Sequence, residues 1–253
     1  VGGADNDVPL NLVLLGPPAA GKGTQAERFA REHGIPKIST GDILRDEVAA
    51  KTPLGQQVKA VMDRGELVGD DLIIAIARER LSRPDTERGF VLDGFPRTVA
   101  QAEALDRILA RRDNLIVVEI RVPDEELVRR VVSRRICATC GRTLSILDAS
   151  EGDGERCATC GGELITRPDD REPVVRERLK VYWRDTQPMV AYYTSRPNYR
   201  VVDGAQSPDR VRGDVIAAVA DVLGQKPGGG AAESVEPSRE GGKQAGRRPE
   251  KNA

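Results

Sequence analysis

The side chains of this sequence with the means to do chemistry gather around one lysine. Lys22 closes the stretch Gly16-Pro17-Pro18-Ala19-Ala20-Gly21-Lys22, a G-x-x-x-x-G-K spacing that follows an apolar run ending at Leu15. A strand feeding such a turn at a helix start aims backbone N–H groups, the positive end of a helix dipole and an ammonium at the β- or γ-phosphate of a nucleotide. The hydroxyl that usually follows such a lysine and binds the metal is displaced. Gly23 stands there, and Thr24 comes one place later.

Asp93 ends the short apolar run "GFVLD", where its carboxylate can orient Mg2+ through water or simply cap a turn. Gly94, Phe95, Pro96 and Arg97 follow. Arg97 can fork onto a phosphate or lie on the surface, and its place just after a strand end favours the phosphate. Arg130, Arg134 and Arg135 precede a cysteine-bearing segment, Arg167 follows it, and Arg178 comes on the next helix. Such residues are ordinarily a solvated face, yet arginines on both flanks of a hinged lid can clamp a transferring phosphoryl group once water is excluded. Phosphoryl transfer needs alignment and charge neutralisation more than a nucleophile. That suits a chain whose single histidine, His33, belongs to no motif.

Cys137, Cys140, Cys157 and Cys160 form two C-x-x-C pairs, each leading into a glycine, with the inner members 17 positions apart. The spacing suits a tetrahedral structural Zn2+ in a reducing compartment; a disulfide or a metal-free cluster is the alternative. Four thiolates leave no open position for a catalytic metal. The 253 residues, 39% of them hydrophobic, allow one large domain or two small ones. A formal charge of −1 gives no overall attraction for a polyanion, so no nucleic-acid partner is expected. Apolar stretches such as Leu115-Ile116-Val117-Val118 are too short to span a bilayer, and no basic-then-apolar secretion pattern opens the chain; a cytoplasmic protein is the expectation.

The elements that must position these groups alternate. "LNLVLLG" reads as a first strand, Lys22 to Arg31 or Glu32 as a helix stopped by Gly34, and "IPKIS" as a short strand. Helical patterns follow around 42–49, 53–63 and from Asp70 or Asp71. The strand "GFVLD", a helix over 99–110, the strand "LIVVEIRV" ending at Pro123 and the helix "EELVRRVVSRR" come next. Residues 136–168 break the rhythm as a Gly-rich, nearly helix-free insert whose folding energy metal binding can supply. One long helix over 172–193, the strand "YRVVD" and a helix over 208–223 complete an α/β pattern: a parallel sheet flanked by helices. The segment 225–253, with six basic and four acidic residues, reads as a disordered solubilising tail or linker; a nucleic-acid tail is the weaker reading.

The segments "GPPAAGKGTQ", "STGDILR", "GELVGDDLI", "GFVLDGFPRTVAQAE", "RR" before the C-x-x-C insert, "TRPDD" and "VVDG" resemble, in order, the signatures of adenylate kinases of the long-lid bacterial type, from about residue 10 to 223. The resemblance implies a P-loop nucleoside monophosphate kinase architecture with inserted subdomains. It places a flexible leader at 1–9, a core at 10–38, 69–131 and 169–224, an AMP-binding subdomain at 39–68 and a zinc-bearing lid at 132–168. It implies reversible, direct in-line transfer from Mg·ATP to AMP giving two ADP, in a monomer. ATP is expected at Ala19, Ala20, Gly21, Lys22, Gly23, Thr24, Arg130, Arg134, Thr143, Leu144 and Gln206, the last through its backbone carbonyl. AMP is expected at Thr40, Gly41, Arg45, Glu66, Leu67, Val68, Gly94, Phe95, Pro96, Arg97, Gln101, Arg167 and Arg178. Lys22, Arg97, Arg134, Arg167 and Arg178 carry the catalytic charge, Asp93 holds Mg2+ through water, and the four cysteines hold Zn2+.

Two features depart from the family pattern. Ala19 replaces a customary glycine, which would cost about 1 kcal/mol if that position is left-handed, and the tail after Gly224 is extra. Among rivals, another nucleoside monophosphate kinase differs only in small contacts near Thr40, Val68 and Gln101. A nucleic-acid-binding zinc module lacks aromatic residues interleaved in the cysteine insert. A non-enzymatic chain keeping the fold leaves its phosphate loops and arginines unexplained.

Overall fold

Every residue of β1 (Leu10–Leu15) after the first is buried, because the strand lies at the centre of a five-stranded sheet covered on both faces. The computed structural model describes residues 9–112, 114–145 and 156–224. The leader up to residue 8 and the tail over 225–253 lie outside these. The strand order is β2 (Lys37–Ser39), β3 (Gly89–Asp93), β1, β4 (Leu115–Arg121) and β8 (Tyr199–Asp203), all parallel. Alternate residues of β1 serve opposite layers. Leu12 and Leu14 face α1 (Lys22–His33), α6 (Asp124–Ser133) and α9 (Pro208–Gly224). Val13 and Leu15 face α4 (Asp70–Leu81), α5 (Val99–Ile108) and α8 (Gln187–Thr194).

After β1 the chain crosses to β2 and returns to β3 on one side of it, then passes to β4 on the other, so a crevice opens beyond the carboxyl ends of these strands. The loop after β1 turns there. Gly16 is obligatory at its start, since a Cβ would lie 2.4 Å from the Ile120 carbonyl oxygen and φ is +138°. Gly21 (φ 95°) caps α1, and left-handed Gly34 ends it as the sequence predicts. Two further segments border the crevice. α2 (Thr40–Ala49) and α3 (Pro53–Asp63) follow β2, each N-capped by a side-chain oxygen, from Ser39 and Thr52. The cysteine insert forms its own antiparallel sheet, β6 (Thr143–Ser145), β5 (Arg134–Cys137) and β7 (Leu164–Ile165).

The expected single helix over 172–193 is instead α7 (Glu172–Val181) and α8 joined by a π-helical turn over Tyr182–Thr186. Pro188 is the physical reason. It has no N–H and its ring crowds the carbonyl four residues back, and the wider turn passes the preceding bond to Gln187, whose N–H donates to the Tyr182 carbonyl.

Candidate active site

The loop between β1 and α1 and the ends of β2 and β3 bound two adjoining hollows. The larger, of ≈ 480 Å³, is lined by Ala19 to Thr24, Asp93, Arg130, Arg134, Arg167, Thr143, Leu144 and Gln206. The smaller, of ≈ 120 Å³, is lined by Thr40, Glu66, Leu67, Val68, Pro96 and Gln101. Lys22, Gly41, Arg45, Gly94, Arg97 and Arg178 line both. The structure thus brings together nearly every side chain expected to hold a nucleotide. Phe95 is the exception, fully buried in the core and able to offer only backbone to the crevice. Arg135 also lines neither hollow; its guanidinium turns to the Val132 and Arg134 carbonyls.

Lys22 opens α1 and folds its ammonium back onto the Gly16 and Pro17 carbonyls, 2.8 Å from each. Burial lowers its pKa to about 8 against the pull of Asp93, with Arg97, Arg178 and Arg134 adding to the fall. An approaching phosphate supplies the anion this ammonium lacks. A Cβ on Gly23 would lie 3.3 Å from Asp93 Oδ2. A hydroxyl residue at that position would therefore press on the carboxylate, and the glycine keeps Asp93 open to the larger hollow.

The arginines are held by carboxylates that the sequence reading did not single out. Arg134 grips Asp170 with both Nε and a terminal nitrogen, the Nε at 2.6 Å. Arg178 donates to Asp169 Oδ2 at 2.9 Å, and Arg45 lies 3.6 Å from the same atom and pairs with Asp42. Arg167 reaches Asp42 only at 3.9 Å, and its buried Nε has no hydrogen-bond partner among the described residues. Burial lowers Arg167 and Arg178 each to about 10, and neighbouring guanidinium groups deepen both shifts. Burial works against the Asp42 charge, yet Arg45, Lys37 and Arg167 hold that carboxyl well below the usual range. Cations so crowded and desolvated are a prepared seat for phosphate oxygens. The signal available in sequence was the acidic residues inside "GDILR" and "RPDD", which look like ordinary cap and turn residues until the fold sets them against arginines far along the chain.

The side chains of Glu66 and Gln206 are turned to protein partners. Glu66 pairs with Arg64, and Gln206 Nε2 donates to the Asp203 carbonyl and to Asp214 Oδ2. Thr40 Oγ1 and Arg97 Nε both donate to the Gly94 carbonyl, at 3.0 and 2.8 Å.

At the far end of the lid the four cysteine sulfurs lie within 4.8 Å of one another, with 3.4 Å between Cys137 and Cys160 and 3.8 Å between Cys140 and Cys157. A tetrahedral ZnS4 centre with bonds of about 2.3 Å has sulfurs about 3.8 Å apart, so the donor set fits Zn2+. The two pairs are built alike. Gly141 and Gly161 (each φ 70°) return N–H bonds to the Cys137 and Cys157 carbonyls, at 2.9 and 2.8 Å. The Cys140 N–H, donating to the Cys137 sulfur, helps lower that thiol to about 6.

A family model for adenylate kinases matches residues 14–198. The chain belongs to the adenylate kinase family. Like its relatives, it carries the family's sequence over most of its length. It is 48% identical to an adenylate kinase of Archaeoglobus fulgidus over 82% of this chain and 97% of that protein. It is 47% identical to one of Rhizobium etli over 82% and 98%, and 48% identical to one of a Geobacillus species over 81% and 96%. In the phosphate loop Ala19 sits at φ 65°, a left-handed conformation uncommon for a residue with a Cβ.

Proposed function

We infer that the protein catalyses reversible phosphoryl transfer from Mg·ATP to AMP, giving two ADP. The observation that carries this reading is the shared wall of the two hollows: Lys22, Arg45, Arg97 and Arg178 stand between a cavity at the phosphate loop and one at α2 and α3. Two nucleotides entering from opposite sides would meet phosphate to phosphate at these cations.

ATP takes the larger hollow, its phosphates on the backbone of Ala19 to Thr24 and on Lys22, with Arg130 and Arg134 above, Thr143 and Leu144 at the base or ribose, and the Gln206 carbonyl at adenine. AMP takes the smaller one, against Thr40, Gly41, Arg45, Glu66 to Val68, Gly94 to Arg97 and Gln101. Arg167 and Arg178 neutralise charge moving between the two, and no side-chain nucleophile is needed for an in-line transfer. Mg2+ entering with ATP neutralises and orients the β- and γ-phosphates; Asp93 would hold it through water. Zn2+ on Cys137, Cys140, Cys157 and Cys160 ties the lid together.

Residues 39–68 and 132–168 act as moving AMP and lid subdomains on a core of 10–38, 69–131 and 169–224. On this reading the protein works as a cytoplasmic monomer. Among the described residues no helix is long and apolar enough to cross a membrane. The test is transfer from Mg·ATP to each of AMP, GMP, CMP and UMP, beside Lys22→Ala. Strong preference for AMP and a nearly dead variant are expected. No transfer to any acceptor, with ATP still bound, would overturn the reading.

A further inference from the structure

Gln101 lines the smaller cavity and is 1% exposed, so the way its amide points decides what it can read there. Its Oε1 accepts from the Arg97 backbone N–H at 2.8 Å, and its Nε2 donates to Asp70 Oδ1 at 2.8 Å. The other oxygen of Asp70 accepts from Thr98 Oγ1 at 2.9 Å, and that same Oγ1 accepts from the Gln101 N–H at 3.2 Å. An ionised carboxylate can only accept and a backbone N–H can only donate. Turning the amide over would set oxygen against oxygen and N–H against N–H, so the flip is closed.

In this fixed orientation the amide has one N–H and one oxygen lone pair left to give. Adenine offers the complement on either edge, an N6–H donor beside an acceptor at N1 or N7. For a base held by its ribose and phosphate with position 6 against Oε1, a 6-oxopurine sets the O6 acceptor against that oxygen on either edge, and it could pair with the amide only by turning its ring over so that N1–H donates to Oε1 and O6 accepts from Nε2. We propose that Asp70 is a positioning residue that locks the Gln101 amide to accept 6-aminopurine monophosphates and to refuse 6-oxopurine ones. The assignment rests on reading the smaller cavity as the AMP site. It gives Asp70 a task beyond its place in the first turn of α4, where an acidic residue also suits the helix dipole.

The experiment compares AMP with IMP, which carries the 6-oxo edge without the 2-amino group of guanine and so isolates the edge being read. In Asp70→Asn the new amide can donate as well as accept, so one of the two contacts that close the flip is lost and the Arg97 N–H alone opposes a turned Gln101. The AMP-to-IMP ratio of kcat/KM should fall at least about tenfold, the size of a bidentate base contact. The change should lie in the KM of the acceptors while the KM for Mg·ATP stays within about twofold. Asp70→Ala should lower the ratio as well. Equal losses with AMP and IMP, or an unchanged ratio, would reduce Asp70 to a structural residue and overturn the proposal. Should neither variant fold, the unmutated protein still decides. In its NMR spectrum AMP should shift one of the two Gln101 side-chain amide protons, the one not bonded to Asp70, and large shifts of both would overturn the lock. Failure of the AMP-site reading would look different, as a wild-type protein that does not phosphorylate AMP at all.

Discussion

Arg134 and Asp170 form a two-pronged ion pair that joins the first strand of the lid to the turn by which the chain leaves it. Asp170 has no exposed side-chain surface, and Arg134 is 16% exposed. Burial alone would lower the guanidinium pKa; the hydrogen bonds and charge of Asp170 more than reverse this and raise it. The pair therefore fixes both ends of the lid and points a cation into the larger hollow.

Removing the carboxylate should be costly. Asp170→Ala leaves a buried guanidinium unpaired and is expected to lower stability by about 3 kcal/mol and kcat by about a hundredfold, as Arg134 leaves its post. Asp170→Asn, which keeps an acceptor, should do less of both. Chemical denaturation and steady-state kinetics on the two variants check this, and an Ala variant with native stability and kcat would show the pair to be idle.

Most of this site was legible from local pattern. The strand, turn and Lys22 are contiguous, and hydrophobic period alone separates β1, β3 and β4 from the helices around them. What sequence did not disclose is contact between distant acids and bases: Asp42 with Arg167, Asp169 with Arg45 and Arg178, Asp70 with Gln101. Each of these aspartates has an adequate local reading as a cap or turn residue, so nothing in its neighbourhood marks a longer reach. The π turn was readable in principle, because Pro188 interrupts an otherwise helical run. Phe95 was carried into the site by the motif around it, whereas its ring belongs to the core.

Ala19 holds a left-handed φ of 65° in the phosphate loop. A left-handed conformation costs a residue with a Cβ roughly 1–2 kcal/mol, and glycine gives back roughly 0.5–1 kcal/mol through its freer unfolded chain. Ala19→Gly should therefore raise stability by about 0.5 kcal/mol. It should also lower the KM for ATP modestly, about twofold, by removing a methyl group from the phosphate approach. Melting curves and ATP titrations compare the two proteins; unchanged values in both would mean the loop carries the alanine without strain.

Lys22, lowered by burial to about 8 from an ordinary 10.5, is about half neutral at pH 8 in the free protein. A bound phosphate raises it again, so Mg·ATP binding should take up about half a proton at pH 8 and almost none at pH 6. Calorimetry of ATP binding, without AMP, in buffers of different ionisation heat reads this directly. Lys22→Met should abolish the uptake, and a binding heat independent of buffer at pH 8 would contradict it. The same depression weakens the folded state below pH ~8, where the unfolded chain carries its ammonium freely. The penalty fades as pH rises toward 10.5, because there the unfolded state binds more protons than the folded one.

The lid has almost no core of its own. Cys137, Leu144 and Cys157 are its buried apolar residues among those described, with Leu164 packed against them. Two of the three are thiols placed for a metal, so the metal must supply what packing does not. Protein purified without added zinc should hold about one Zn2+ per chain, and less than about a tenth of that would refute the site. Chelation should raise hydrogen exchange in β5, β6 and β7 well before β1, β3 or β4 respond. Activity should fall in parallel through loss of the surface that carries Thr143, Leu144 and Arg134, while ATP binding at the phosphate loop weakens less. A lid that stays protected after complete removal of zinc would mean that the small sheet and the Arg134–Asp170 pair suffice to hold it.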